Sequence, residues 1–147
     1  YARTWWIPRS MTAIEQWLLI RHAKLRRRNG ATLLPETWPM HRGEVWWVEF
    51  DPAVGSEIRK TRPAVIVSND SANRNLSRVV VVPLTSNTGR QYPGEAVVIV
   101  GGQSSKAMAD QIMAADKLRL KNHLATLSKA DMLAVEDAIK VHLALPR

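Results

Sequence analysis

Arg78-Val79-Val80-Val81-Val82-Pro83-Leu84 is the stretch on which the fold turns. Four consecutive valines are β-branched, the run is too short for an ordinary helix, and no polar residue alternates within it. It therefore reads as a strand buried on both faces, and such a strand belongs at the centre of a sheet. Upstream, Val45, Trp47 and Glu49 alternate with Trp46, Val48 and Phe50, so residues 43–50 read as a strand with two unequal faces and apolar content on both. Pro63 opens a second strand, Ala64–Ser68, and a short helical turn is expected over Asp70–Asn75. Downstream, residues 85–94 are polar and turn-rich, Glu95–Val100 returns to a β pattern, and Gly101-Gly102 breaks it. Further short strands are expected over Lys106–Met113 and Lys117–Lys121. A helix closes the chain: Ser128 and Asp131 resemble a capping box, Met132, Val135, Ile139 and Leu143 recur at helical spacing, and Pro146 ends it. Short strands followed by one terminal helix predict a mainly β, α+β domain. The expected architecture is a small, strongly curved SH3-like β-barrel with the helix over one opening.

Residues 1–39 have a different character. They hold Trp5, Trp6, Trp17 and Trp38, interleaved with Arg21, Lys24, Arg26, Arg27 and Arg28. A helix is expected over 12–28, with Thr12 and Glu15 as a capping box, Ile14, Trp17, Leu18 and Leu25 on one face, and Asn29-Gly30 as a stop. Pro35 and Pro39 mark a linker. Met40 is read as the native start, which divides the chain into a basic extension, 1–39, helical or poorly ordered, and a domain, 40–147. The preferred reading of the extension is an upstream-encoded or vector-derived appendage. A nucleic-acid arm and a fused piece of a neighbouring partner are the alternatives.

The formal net charge of +8, from 21 Lys and Arg against 13 Asp and Glu, favours a polyanionic partner. Much of that charge lies in the extension, where seven basic residues meet two acidic ones, against fourteen and eleven in 40–147. The absence of cysteine excludes a disulfide framework, a thiolate zinc site and a cysteine nucleophile, and suits a reducing cytoplasm. No apolar run is long enough to cross a bilayer, and no secretory signal is evident, so no membrane association is expected. His22, His41, His123 and His142 are scattered, with no carboxylate at metal-ligand spacing, and no phosphate-binding glycine loop occurs. Neither a metal nor another cofactor is expected.

Two places stand out. The loop Gly55-Ser56-Glu57-Ile58-Arg59-Lys60-Thr61-Arg62-Pro63 sets three cations beside a carboxylate and flexible backbone, a composition suited to holding a phosphodiester. Arg62 is the best placed of the three, because the proline-initiated strand that follows orders its backbone. Pro83-Leu84-Thr85-Ser86-Asn87-Thr88 brings small polar side chains to the point where the central strand runs out. Taken alone, such a strand end can also do no more than satisfy a turn.

The ordered series Arg42-Gly43-Glu44-Val45-Trp46, Asp51-Pro52, Gly55-Ser56-Glu57, Arg62-Pro63-Ala64-Val65-Ile66-Val67-Ser68-Asn69-Asp70 and Val82-Pro83-Leu84-Thr85-Ser86 resembles the successive motifs of the MazF/PemK toxins. The similarity continues weakly through Asp110-Gln111-Ile112 and the final helix, and covers none of 1–39. The resemblance implies an SH3-like barrel, a homodimer, sequence-specific cleavage of single-stranded RNA without a metal, and neutralisation by an acidic antitoxin. Carried over by position, it implies Arg62 and Thr85 as catalytic residues and Ser56, Glu57 and Gln111 as lining the RNA groove. Arg59, Lys60, Ser86 and Asn87 join them as RNA-binding candidates from the two unusual segments. Met113 stands where the family often has arginine, which bears on base preference. Two rival expectations are a barrel toxin similar to the CcdB gyrase poisons, which act by binding a protein, and a plain nucleic-acid-binding SH3-like module that uses the basic extension.

Overall fold

The computed structural model describes residues 40–147; the helix expected over 12–28 lies outside the described residues. The elements are β1 (Glu44–Glu49), β2 (Thr61–Ile66), α1 (Asp70–Asn75), β3 (Arg78–Thr85), β4 (Glu95–Val100), β5 (Gln103–Met108), β6 (Met113–Asp116), β7 (Leu120–Thr126) and α2 (Lys129–His142). The strands form one antiparallel sheet in the order β4-β5-β3-β2-β1-β7, with β6 also paired to β3. It is curled into a half-barrel with α2 against one face.

The valine run takes the centre, as its composition demands. β3 pairs with β2 along one edge, and β5 and β6 share the other. Both faces of the sheet are covered. Val45, Val65, Val82, Leu84, Ala96, Val98 and Ala107 pack with Val135 and Ala138 of α2. On the opposite parity, Trp46, Val48, Ala64, Ile66, Val79, Val81, Ala115 and Leu120 are buried on the other face. Each fully buried aliphatic side chain contributes about 1.5–3 kcal/mol, so the two-sided β3 is a principal holder of the fold. α1 is stitched to it by polar groups: the buried Asn73 donates to the Ser68 carbonyl at 2.9 Å, Ser68 Oγ accepts from the Val80 N–H at 3.0 Å, and the Lys117 ammonium donates to the Asn73 carbonyl.

Several element boundaries differ from expectation. The strand expected over Lys106–Met113 is two strands separated by a 3-10 turn at Ala109–Gln111. Ala107 lies opposite Leu84 and Met113 opposite Val81, so six residues on one side span three on the other, and the turn takes up the excess. Lys117–Arg119 is a 3-10 turn, because the Asp116 carboxylate accepts the Leu118 N–H at 2.8 Å, and β7 begins only at Leu120. β2 starts at Thr61 rather than Ala64. Pro63 is tolerated inside it because pairing to β3 begins at Ala64, leaving β1 as the only neighbour at Pro63.

The terminal helix starts as expected, with Ser128 Oγ accepting the Asp131 N–H at 3.1 Å. The reciprocal half of the capping box is absent, since Asp131 Oδ2 instead accepts the Ile99 N–H of β4 at 3.1 Å. Pro146 does not end the helix. A Schellman arrangement does: Ala144 adopts φ 54°, and the Ala144 and Leu145 N–H groups return to the carbonyls of Val141 and Lys140.

Candidate active site

β2 and β3 bring the two principal candidates together through register. Ala64 pairs with Pro83, Val65 with Val82 and Ile66 with Val81. Arg62 lies two places before the first of these pairs and Thr85 two places after it, so both stand at the same end of the paired strands, and strand alternation puts both on the face away from α2. Thr85 is in turn the register partner of Lys106 on β5. Thr85 and Lys106 are thus direct partners on β3 and β5, and Arg62 stands at the same end of β2, where the sheet outruns its covered interior.

Both candidates keep hydrogen-bonding capacity in reserve. Arg62 is exposed, and its Nε donates to the Arg59 carbonyl at 3.3 Å. Among the described residues its two terminal nitrogens have no protein partner and no carboxylate forms an ion pair with it, so the guanidinium can present a fork of N–H donors to an anion. The half-buried Thr85 accepts the Asn87 N–H at 3.2 Å through Oγ1, which leaves its hydroxyl proton free to donate. Thr85 therefore shapes its turn and faces the site as well.

The β1–β2 loop is exposed but closed on itself. Phe50 N–H donates to the Lys60 carbonyl at 2.9 Å, and Lys60 takes the left-handed conformation at φ 66°. Arg59 donates to the Gly55 carbonyl at 2.7 Å. Glu57 accepts the Val54 N–H at 2.9 Å, so its carboxylate braces the loop instead of pairing with Arg62. Ser56 stands exposed at the tip. Gln111 reaches this loop from the 3-10 turn, its Oε1 accepting the Ile58 N–H at 3.3 Å, so a residue distant in sequence adjoins the cationic loop. At the strand end Ser86 and Asn87 are exposed, and Asn87 Oδ1 accepts the Gly89 N–H at 3.3 Å.

Thus Arg59 and Lys60 lie in the loop segment that leads into Arg62, Gln111 is bonded to that loop, Ser56 and Glu57 belong to its tip, and Ser86 and Asn87 follow Thr85 directly in the chain. Among the described residues no three His, Asp or Glu side chains gather closely enough to hold a metal ion. Lys106 and its partner Glu95 were not singled out by sequence. They lie eleven positions apart on different strands, and no local pattern links them.

Such a site defines a class of small β half-barrels that present an arginine and a hydroxyl side by side at an open sheet end, suited to gripping an anionic chain. The chain belongs to the PemK-like, MazF-like toxins of type II toxin-antitoxin systems, whose family model matches residues 41–143. It is 41% identical over 115 residues to the endoribonuclease MazF9 of Mycobacterium tuberculosis, covering 72% of this chain and 98% of that one. It is 32% identical over 111 residues to an endoribonuclease MazF of Staphylococcus epidermidis, covering 72% and 92%. Among solved structures it resembles a mycobacterial endoribonuclease in complex with its cognate antitoxin, with TM-score 0.62, 28% identity and coverage of 73% and 97%. It also shares the fold of MazF from Deinococcus radiodurans, with TM-score 0.67, 24% identity and coverage of 74% and 100%.

Proposed function

We propose that this chain is a sequence-specific endoribonuclease toxin that cuts single-stranded RNA and is restrained by an acidic antitoxin. The exposed Arg62 and the Thr85 hydroxyl at the same end of β2 and β3 carry this reading, and the endoribonuclease names of its relatives support it. In the reaction the ribose 2′-oxygen attacks the adjacent phosphorus. A P–O2′ bond forms, the P–O5′ bond breaks, the 2′-hydroxyl gives up its proton, and the departing 5′-oxygen gains one. The products are a 2′,3′-cyclic phosphate and a 5′-hydroxyl, and DNA, which lacks the 2′-hydroxyl, is not cut. Arg62 stabilises the charge that develops on the phosphorane, because a guanidinium is a poor proton acceptor at neutral pH. Thr85 donates to a nonbridging oxygen or aligns the 2′-hydroxyl. Ser56, Glu57, Arg59, Lys60, Ser86, Asn87 and Gln111 hold the flanking nucleotides.

The mechanism needs no metal, since the nucleophile is part of the substrate and the arginine supplies the positive charge. A homodimer is the proposed assembly. Leu133, Val141, Leu143 and Leu145 on and after α2 expose apolar surface that a second copy can cover. Among the described residues no helix is long and apolar enough to cross a membrane. A cytoplasmic site of action is part of the proposal, in keeping with an RNA substrate.

The test is incubation of the purified protein with a long RNA in EDTA, followed by mapping of the cut ends. Discrete cuts with cyclic phosphate termini are expected. Intact RNA together with inhibited DNA supercoiling would instead identify a gyrase poison. Loss of cutting in EDTA with restoration by Mg²⁺ or Mn²⁺ would overturn the metal-free mechanism.

A further inference from the structure

Two polar side chains are buried among the described residues, Asn73 and Lys106. Asn73 is accounted for by its place between α1 and β3. Lys106 is not. It lies in β5 opposite Thr85, and its side chain is only 9% exposed. An apolar side chain would fill that position without the cost of desolvating an ammonium, and a buried ion pair is weak evidence of stabilisation in its own right.

The partners of Lys106 all belong to the segment that leads from Thr85 into β4. Nζ lies 3.1 Å from Glu95 Oε2, whose side chain is 13% exposed, and donates to the Arg90 carbonyl at 2.6 Å. The same carboxylate oxygen of Glu95 accepts the Tyr92 N–H at 2.7 Å. Gln91 donates from Nε2 to the Glu95 carbonyl at 3.0 Å. Residues 90–95 are therefore clamped from within, and the clamp is fastened to the strand residue directly across from Thr85. Among the described residues the outgoing leg, Ser86–Gly89, has only the two turn bonds through Thr85 Oγ1 and Asn87 Oδ1.

We propose that Lys106, paired with Glu95, is a positioning residue that anchors the 86–94 loop beside Thr85 and so fixes where RNA lies against the hydroxyl. The proposal rests on the RNA-cleaving reading. Register partners lie about 4.5–5.5 Å apart at Cα, so the anchor is one strand from Thr85 and two from Arg62. The anchored loop walls the site on the side opposite Arg62. Lys106 does not touch the substrate; its charge is spent on Glu95 and Arg90.

The experiment compares the full-length protein with Lys106→Met and with Lys106→Met/Glu95→Gln, the second avoiding an unpaired buried carboxylate. Cleavage of a short RNA is measured against substrate and salt concentration, and amide hydrogen exchange is followed over residues 86–94. Both variants should lose about tenfold or more in kcat, the scale of effect a slightly misplaced site produces. Both should also exchange faster over 86–94 while strands β1–β3 keep their protection. The salt dependence of KM should stay that of the wild type, because no phosphate contact is removed. Wild-type kcat with unchanged loop exchange would overturn the proposal. A salt slope reduced by about one would show that Lys106 meets a phosphate directly, and would overturn it too. If the wild-type protein cuts no RNA, the nuclease reading fails, and hydrogen exchange alone still decides whether Lys106 anchors the loop.

Discussion

Arg62 and Thr85 lie where β2 and β3 outrun the covered part of the sheet, so their side chains can be removed at little cost to the fold. Arg62→Ala and Thr85→Ala are each expected to lower cleavage by about a hundredfold or more, the scale seen when a donor to a developing oxyanion is lost. The unfolding midpoint should move little, because the exposed turn bond that Thr85 makes is worth about 1 kcal/mol or less. Cleavage rates and thermal melts on the same preparations check this, and wild-type cutting by a folded variant would remove that residue from the mechanism. Asp70 gives the protein a different kind of residue-level control. The Arg42 backbone N–H, donated at 2.7 Å, holds its carboxyl below the ordinary 3.8 against the opposing effect of desolvation, with help from His41. A carboxyl with a depressed folded pKa contributes stability that is fully present above its unfolded value and is lost as pH falls through the folded one. Asp70→Asn should therefore flatten the loss of stability below about pH 4, as read by denaturant titrations across that range.

At the scale of elements, α2 is held by its two ends. Ser128→Ala removes the N-cap acceptor and should cost about 1 kcal/mol. Ala144→Gly relieves an alanine at φ 54° and should stabilise by about 0.5–1 kcal/mol. Urea unfolding at unchanged m-value would register both shifts. The same helix shows what a one-dimensional pattern can and cannot reveal. Its apolar spacing and Ser128 were legible, as were the valines of β3, because burial on a regular element imprints a period. Its end was not, since Ala144 carries no glycine signal and Pro146 supplied a false one. The 3-10 turn at Ala109–Gln111 was hidden for another reason: it exists because β5 and β6 share one edge of β3, a fact of pairing and not of local composition. The site divides similarly. The ordered motif series singles out Arg62 and Thr85 as candidates, whereas Lys106 reads locally as one more lysine, and only the fold supplies Glu95 and Arg90 as its partners.

For the whole molecule, charge and assembly dominate. Residues 1–39 supply more of the net charge than residues 40–147 do, yet the candidate site lies entirely within the latter. Deleting 1–39 is expected to leave the cleavage rate within about twofold, whereas a nucleic-acid arm there would show itself as weakened salt-sensitive retention of RNA on deletion. Filter binding at several salt concentrations beside a cleavage assay separates the two effects. The exposed Arg59 and Arg62 also suit an extended acidic peptide, so the proposed antitoxin and uncut RNA should compete for a shared groove at the candidate site. Simultaneous saturable binding of both would refute a shared groove.

The pairing of β1 with β7 has a consequence for the order in which the molecule can be made. Roughly 70 residues separate these neighbours, so at about 5–20 residues per second a ribosome leaves the outer edge of β1 open for several seconds. Arg62 and Thr85 have both been synthesised by then, but the sheet that carries them is unfinished and its free edge invites foreign strands. A nascent chain is thus most vulnerable to misassociation before it has become a finished nuclease, and synonymous codons that slow translation between β1 and β7 should lower the yield of folded protein without changing its specific activity.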